Sequence, residues 1–74
     1  HGMDTALFAI GDNGKDPNKK YKTVEFSDNQ KQTYEKYYFV NNRLSGVILI
    51  GDTSKLVDLT LAVEENRLFS KIFN

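Results

Sequence analysis

The chain has 74 residues, of which 39% are hydrophobic and 27% are charged. This composition is typical of a folded globular domain and not of a disordered chain. A single domain of this size has a small core, because folding buries only roughly 60% of the surface that the unfolded chain exposes. Ten basic residues balance ten acidic ones, so no net charge attracts the chain to nucleic acid or to an anionic membrane.

The sequence contains no cysteine, which excludes disulfides, thiolate nucleophiles and cysteine-ligated metal centres. A cytoplasmic location fits this composition best. The only histidine is His1, and we interpret residues 1–3 as a cloning remnant, which leaves residues 4–74 as one domain. No apolar run approaches the roughly 20 residues needed to span a bilayer, so we expect a soluble protein without membrane contact.

Four segments of the sequence favour β-strands. The first is an apolar run over residues 5–10, and the second, over residues 21–27, alternates apolar and polar side chains. Residues 33–40 are rich in aromatic and β-branched side chains, and residues 43–50 are similarly apolar. Between the first two strands, residues 11–20 contain turn-forming residues and no apolar anchor, which indicates an exposed loop.

Only Asn41-Asn42 separates the last two strands, and two asparagines suit the positive φ angles of a type I′ hairpin turn. This turn predicts that Val40 opposes Arg43 and that Tyr37 opposes Gly46, where the absence of a side chain leaves room for the ring. The same register predicts one face of the hairpin that covers the core. Its residues are Tyr37, Phe39, Leu44, Ile48 and Ile50.

After Gly51 the apolar spacing changes to that of a helix, with Asp52 or Thr53 as the expected N-cap. A second apolar stripe follows over residues 68–73 and predicts another short helical segment. The expected fold class is therefore α+β, a small antiparallel sheet of about four strands followed by one or two C-terminal helices packed on one face.

Candidate ligand sites are few, and in each case a structural role is favoured. Gly11 to Gly14 is glycine-rich but lacks the spacing of a phosphate-binding loop. Oxygen atoms for calcium are present nearby, in Asp12, Asn13 and Asp16, without the spacing of an EF-hand. Gly51 to Ser54 resembles an anion-binding corner at a helix start, but Asp52 already places a carboxylate there.

Two further groups of residues have simple structural interpretations. Aromatic side chains near Lys36 and Arg43 resemble a base-stacking platform, yet packing within the sheet explains them better. These rings are Tyr34, Tyr37, Tyr38 and Phe39. A cluster of charges near the C-terminus is expected to form a solvated helix face. Its members are Glu64, Glu65, Arg67 and Lys71. No catalytic, cofactor-binding or metal-binding residue is predicted.

The segment from Tyr37 to Ser54 resembles the C-terminal domain of NADH–rubredoxin reductases and of the large subunit of assimilatory nitrite reductases. In that family a strand, a tight turn and a strand ending in G-x-x-x-x-G-D lead into a helix, and Gly46, Gly51 and Asp52 match this motif. Asn41-Asn42 stands where the family commonly has Asp-Gly. Residues 6–12 and the loop up to Tyr21 are similar to the opening of the same domain.

The resemblance implies a larger parent enzyme that passes electrons from NAD(P)H through FAD to an acceptor, with this chain as a non-catalytic accessory domain. The partners that it implies are the FAD- and NAD-binding domains of the same polypeptide and an electron-acceptor protein or subunit. FAD and NAD(P)H would bind to those domains and not to this chain. A free-standing protein-interaction module and a binder of single-stranded nucleic acid are the alternative hypotheses.

Overall fold

The computed structural model describes residues 6–73, which form a four-stranded antiparallel sheet followed by two helices. The elements in chain order are β1 (Leu7–Gly11), β2 (Tyr21–Asp28), β3 (Thr33–Val40), β4 (Arg43–Ile50), α1 (Leu56–Glu64) and α2 (Phe69–Ile72). The strands lie in the order β1-β4-β3-β2. The predicted α+β class is confirmed. The proposed cloning remnant at residues 1–3 and the predicted strand start at residue 5 lie outside the described residues.

The β3–β4 hairpin closes through the predicted asparagine turn. Asn41 and Asn42 have φ angles of 53° and 64°, the left-handed values that both central residues of a type I′ turn require. Next to the turn, Val40 pairs with Arg43, as the sequence predicted. Asparagine tolerates this conformation better than most residues, so the departure from Asp-Gly leaves the turn geometry intact.

Beyond the first two pairs the predicted hairpin register is wrong, because β4 contains a β-bulge. Tyr38 and not Tyr37 lies opposite Gly46, and Ser45 is the extra residue. An inserted residue reverses the inward and outward alternation of the strand beyond it. Val47 and Leu49 are therefore fully buried. The predicted core residues Ile48 and Ile50 lie instead on the opposite face and are half-buried.

The core lies between the sheet and the two helices. From the sheet it takes five side chains that are almost fully buried, Tyr37, Phe39, Leu44, Val47 and Leu49. Helix α1 adds Leu59 and Ala62 and contacts β1 and β4. Phe69 of α2 and the following Phe73 contact the β3 rings, with centroid distances of 5.0 Å to Phe39 and 4.9 Å to Tyr37. Both helices thus pack on one face of the sheet, as predicted.

Neither Asp52 nor Thr53 is the N-cap of α1, so that prediction is wrong. The helix begins at Leu56, and the N-cap position belongs to Lys55, whose side chain makes no capping hydrogen bond. An Asp side chain can form a local turn with its own backbone two residues on. Here Asp52 Oδ1 accepts a hydrogen bond from the Ser54 backbone N–H at 2.9 Å, which forms a turn before the helix. Neither of the helices in residues 6–73 is long and apolar enough to cross a membrane.

Gly46 is required by a close backbone approach rather than by the Tyr37 ring. A Cβ atom at this position would overlap the carbonyl oxygen of Asp12, because the backbone of Asp12 lies directly against Gly46. The Asp12 backbone N–H donates to the Ser45 carbonyl oxygen at 3.0 Å. Strand β1 and the loop after it are thereby joined to the bulge.

We predict that Gly46→Ala lowers the free energy of unfolding by at least about 2 kcal/mol, because a backbone carbonyl cannot move aside as a flexible side chain would. Thermal and urea denaturation measure this loss. Ile48→Val, on the same strand and the same face, is the control, for which we expect a loss of at most about 1 kcal/mol. An unchanged melting temperature in Gly46→Ala would contradict the bulge geometry.

Candidate interaction surfaces

The loop between β1 and β2 is held against the sheet by a cluster of hydrogen bonds around the Asp12 carboxylate, called here the Asp12 cluster. The carboxylate accepts hydrogen bonds from the Tyr21 hydroxyl (2.7 Å), Lys19 Nζ (2.9 Å), Ser45 Oγ (3.0 Å) and the Gly14 backbone N–H (3.0 Å). The loop thus returns over the sheet, and Gly14 lies so close to the Tyr38 ring that a Cβ there would overlap it.

The electrostatics of the Asp12 cluster favour the ionised carboxylate. The hydrogen bond from Tyr21, and then that from Lys19, hold the pKa of Asp12 well below its usual range. The pKa of Tyr21 is raised, mainly by desolvation and to a smaller extent by the hydrogen bond to Asp12. Charge-assisted hydrogen bonds are stronger than neutral ones, so the cluster fixes the loop more firmly than loop composition alone predicts.

The three oxygen donors considered for calcium each bind a backbone N–H of the loop itself. Asp12 accepts from Gly14, Asn13 Oδ1 accepts from Lys15 at 3.2 Å, and Asp16 Oδ1 accepts from Asn18 at 2.9 Å. Within residues 6–73, no three acidic or histidine side chains are grouped so that they could hold a metal ion. The arrangement suits a chain of tight turns.

The aromatic side chains of β3 do not form one platform, because alternate residues of a strand point to opposite faces. Tyr37 and Phe39 are buried under the helices. Tyr38 lies on the other face, where it makes an edge-on contact with Tyr21 at 5.9 Å and lies 5.2 Å from Lys36 Nζ. The sheet-packing interpretation of these rings is confirmed for Tyr37, Tyr38 and Phe39.

The charges of residues 64–71 do not share one helix face, contrary to the prediction. Glu64 ends α1, Lys71 lies in α2, and Arg67 lies between the two helices, paired with Glu65 at 2.7 Å. The carbonyl oxygen of Arg67 accepts a hydrogen bond from the backbone N–H of Leu44. The charges do not share one face because the helix is interrupted between Glu64 and Phe69, where the chain forms a single bridge with β4.

Within residues 6–73, the sheet face opposite the helices is only partly covered. The loop covers the end near Gly46, and the other end exposes an apolar strip, called here the open strip. Its residues are Leu7, Ala9, Tyr34, Ile48 and Ile50. Cross-strand pairing aligns them, since Leu7 and Tyr34 both oppose Ile50 while Ala9 opposes Ile48. Leu7 is 63% exposed.

The rim of the open strip is polar, because Tyr34 is followed on the same sheet face by Lys36, opposite Ile48, and by Glu25 on β2. The Tyr34 hydroxyl donates a hydrogen bond of 2.5 Å to Glu25 Oε2, and this bond to a carboxylate raises the pKa of Tyr34 to about 12. An apolar strip with a polar rim is typical of a surface that is covered by another protein domain.

The strand–turn–helix arrangement typical of dinucleotide sites is not found among residues 6–73. Dinucleotides bind at a glycine-rich turn between a parallel strand and a helix, whereas this sheet is antiparallel and the β4–α1 junction carries the Asp52 carboxylate. One pocket, of about 310 Å³, lies beside the hairpin turn and is open to solvent. Ligand pockets usually have roughly 300–1,000 Å³, so this one is at the lower end of that range.

These observations define a small α+β domain that has, in residues 6–73, an exposed apolar strip and a solvent-open pocket. The sequence model of the rubredoxin NAD+ reductase C-terminal domain matches residues 1–67. The chain therefore belongs to the family of rubredoxin NAD+ reductase C-terminal domains, which confirms the resemblance and implies that it is part of an FAD-dependent oxidoreductase. No curated protein and no solved structure gives a significant match.

We predict that Asp12→Asn destabilises the chain at neutral pH, because the ionised carboxylate is what the Tyr21 and Lys19 donors bind. The pKa of Asp12 is lower in the folded state than in the unfolded state. Its negative charge therefore contributes to the free energy of unfolding above the unfolded-state pKa of about 4, and this contribution is lost as the pH falls below that value. The difference in melting temperature between wild type and Asp12→Asn is thus largest near pH 7 and shrinks below about pH 4.

Glu64→Gln, which neutralises an exposed carboxylate at the end of α1, is the matched control and should have little effect on the melting temperature across this pH range. Equal effects of the two substitutions, or a difference independent of pH, would contradict the role assigned to the Asp12 cluster.

Proposed function

We propose that this chain is the accessory domain of an FAD-dependent NAD(P)H oxidoreductase of the rubredoxin reductase or assimilatory nitrite reductase type. In this proposal it docks against the FAD- and NAD-binding domains of the same polypeptide and has no catalytic activity alone. The observation that carries the proposal is the family match over residues 1–67. A cytoplasmic location, expected from the lack of cysteine in the sequence, belongs to the same proposal.

The geometry supports docking through the open strip. In residues 6–73 the helices cover one face of the sheet and the loop covers the Gly46 end of the other, which leaves Leu7, Ile48 and Ile50 as an aligned apolar surface. Burial of apolar area drives domain association, and contacts between domains of one chain are commonly of modest size and partly polar. The strip and its tyrosine rim match that description.

A free-standing interaction module is the second candidate, and the same exposed strip favours it. The two proposals differ in what precedes this domain in the gene. We expect sequencing of the full gene to find flavin- and nicotinamide-binding domains upstream. Purified full-length protein should then carry FAD, visible by its absorbance, and oxidise NAD(P)H with an artificial acceptor, whereas the chain of residues 1–74 should be colourless. An open reading frame with no such domains would contradict the proposal.

The docking role is tested by Leu7→Lys in the full-length protein. In the isolated chain we expect this substitution to change the free energy of unfolding by at most about 0.5 kcal/mol, since the side chain is exposed. In the full-length protein a lysine in the interface should release the domain. Amide hydrogen exchange at β1 and β4 and susceptibility to limited proteolysis should then rise.

Val57→Lys is the matched control, since Val57 is 72% exposed on α1, away from the open strip. It should leave hydrogen exchange and proteolysis of the full-length protein unchanged. If Leu7→Lys behaves like Val57→Lys in both measurements, the open strip is not the docking surface.

A further inference from the structure

Basic and acidic side chains are separated along the sheet although the whole chain has no net charge. The end of the domain that carries the asparagine turn also holds the start of β2 and all of α2. Five basic residues lie there outside the ion pairs found in residues 6–73. They are Lys15, Lys20, Lys22, Arg43 and Lys71.

Four acidic residues lie at the same end. Asp12 and Glu65 form ion pairs with Lys19 and Arg67, so only Asp16 and Glu64 are left to balance the five basic residues. The opposite end, with the β2–β3 turn and the start of α1, carries Asp28, Asp52 and Asp58 and, outside the ion pairs found in residues 6–73, one basic residue, Lys31. The turn end is therefore the positive end of the domain.

The solvent-open pocket lies within this positive end and is called here the hairpin pocket. It is lined by Lys22, Asn42, Leu68, Phe69 and Ser70. Lys22 Nζ lies 4.8 Å from the centroid of the Phe69 ring, so a cation and an apolar surface are adjacent. Leu68 is 37% exposed.

The pocket has a fixed shape because backbone hydrogen bonds join its two sides. The Phe69 N–H donates to the Asn42 carbonyl oxygen at 2.7 Å, and the Leu44 N–H donates to the Arg67 carbonyl oxygen at 2.8 Å. Leu68 forms an isolated antiparallel bridge with Arg43. A preformed concave site loses less entropy on binding than one that must be ordered.

We propose that the hairpin pocket is a docking site for an acidic segment of a partner protein. A carboxylate of the partner pairs with Lys22, an adjacent apolar side chain packs on Leu68 and Phe69, and the surrounding basic residues attract the acidic surface. This inference goes beyond the accessory-domain proposal and uses a different surface, so either can fail alone.

A protein partner fits the pocket better than a nucleic acid. Single-stranded nucleic acid is bound by exposed aromatic rings on which bases stack, whereas Phe69 is only partly exposed: it packs against Phe39 and Phe73, and Lys22 Nζ lies over its ring. The apolar wall beside a single ammonium group matches an amphipathic peptide. Complementary charges at the rim increase the rate of association with an acidic partner and weaken the binding of basic ones.

The test uses the chain of residues 1–74 and two labelled peptides, one of alternating glutamate and leucine and one with glutamine in place of glutamate. Fluorescence anisotropy at low ionic strength measures affinity, and amide chemical shifts locate the contact. We expect the glutamate peptide to bind at least about tenfold more tightly than the glutamine peptide. Its shifts should centre on Lys22, Asn42 and residues 68–70, and added salt should weaken binding.

Lys22→Glu should weaken binding of the glutamate peptide about tenfold. Because Lys22 also contacts the Phe69 ring, Lys71→Glu, at an exposed site on α2, serves as a second variant that leaves this contact in place, and should weaken binding about threefold. Lys31→Glu reverses an exposed charge at the opposite end and is the matched control, expected to leave affinity unchanged.

Three results would overturn the proposal. They are equal affinity for the two peptides, an equal loss in Lys31→Glu, and tighter binding of a single-stranded oligothymidine than of the glutamate peptide. The last result would assign the positive end to nucleic acid instead.

Discussion

Over the stretch in which β3 and β4 pair, β4 contributes one residue more than β3, because Ser45 and Gly46 both lie opposite Tyr38. That single insertion turns Val47 and Leu49 toward the helices and Ile48 toward the opposite face. It also frees the carbonyl and hydroxyl groups of Ser45 to bind Asp12. The composition of the core, the path of the first loop and the position of the open strip all follow from it.

The parts of the fold that depend on local chemistry could be predicted from the sequence. Four strands, two helical segments and the asparagine turn follow from apolar spacing and from the φ preferences of Asn41 and Asn42. The bulge could not be predicted, since its cause is distant in sequence: Gly46 accommodates the backbone of Asp12. Glycine in a strand indicates a bulge or a close approach, but the sequence does not say which residue approaches.

The same limit applies to the surfaces. Its neighbours in sequence make Asp12 a candidate calcium ligand. In the fold its carboxylate instead accepts hydrogen bonds from Tyr21 and Ser45, which are distant in sequence, and so holds the loop on the sheet. The hairpin pocket joins Lys22 to Phe69, residues far apart in the chain. The absence of a dinucleotide-binding loop, in contrast, follows from motif spacing, which is a property of consecutive residues.

The match to the family model ends at a residue that precedes the end of the folded unit. The family match stops at residue 67, yet the rings of Phe69 and Phe73 lie against Phe39 and Tyr37 and close the core on its β3 side. A shortened version that ended where the similarity ends would leave those two strand rings facing water. In so small a domain the loss of two aromatic neighbours is a large fraction of the total stability. Phe69 and Phe73 are thus indispensable as apolar volume, and a domain boundary drawn where the family match stops would cut through the core.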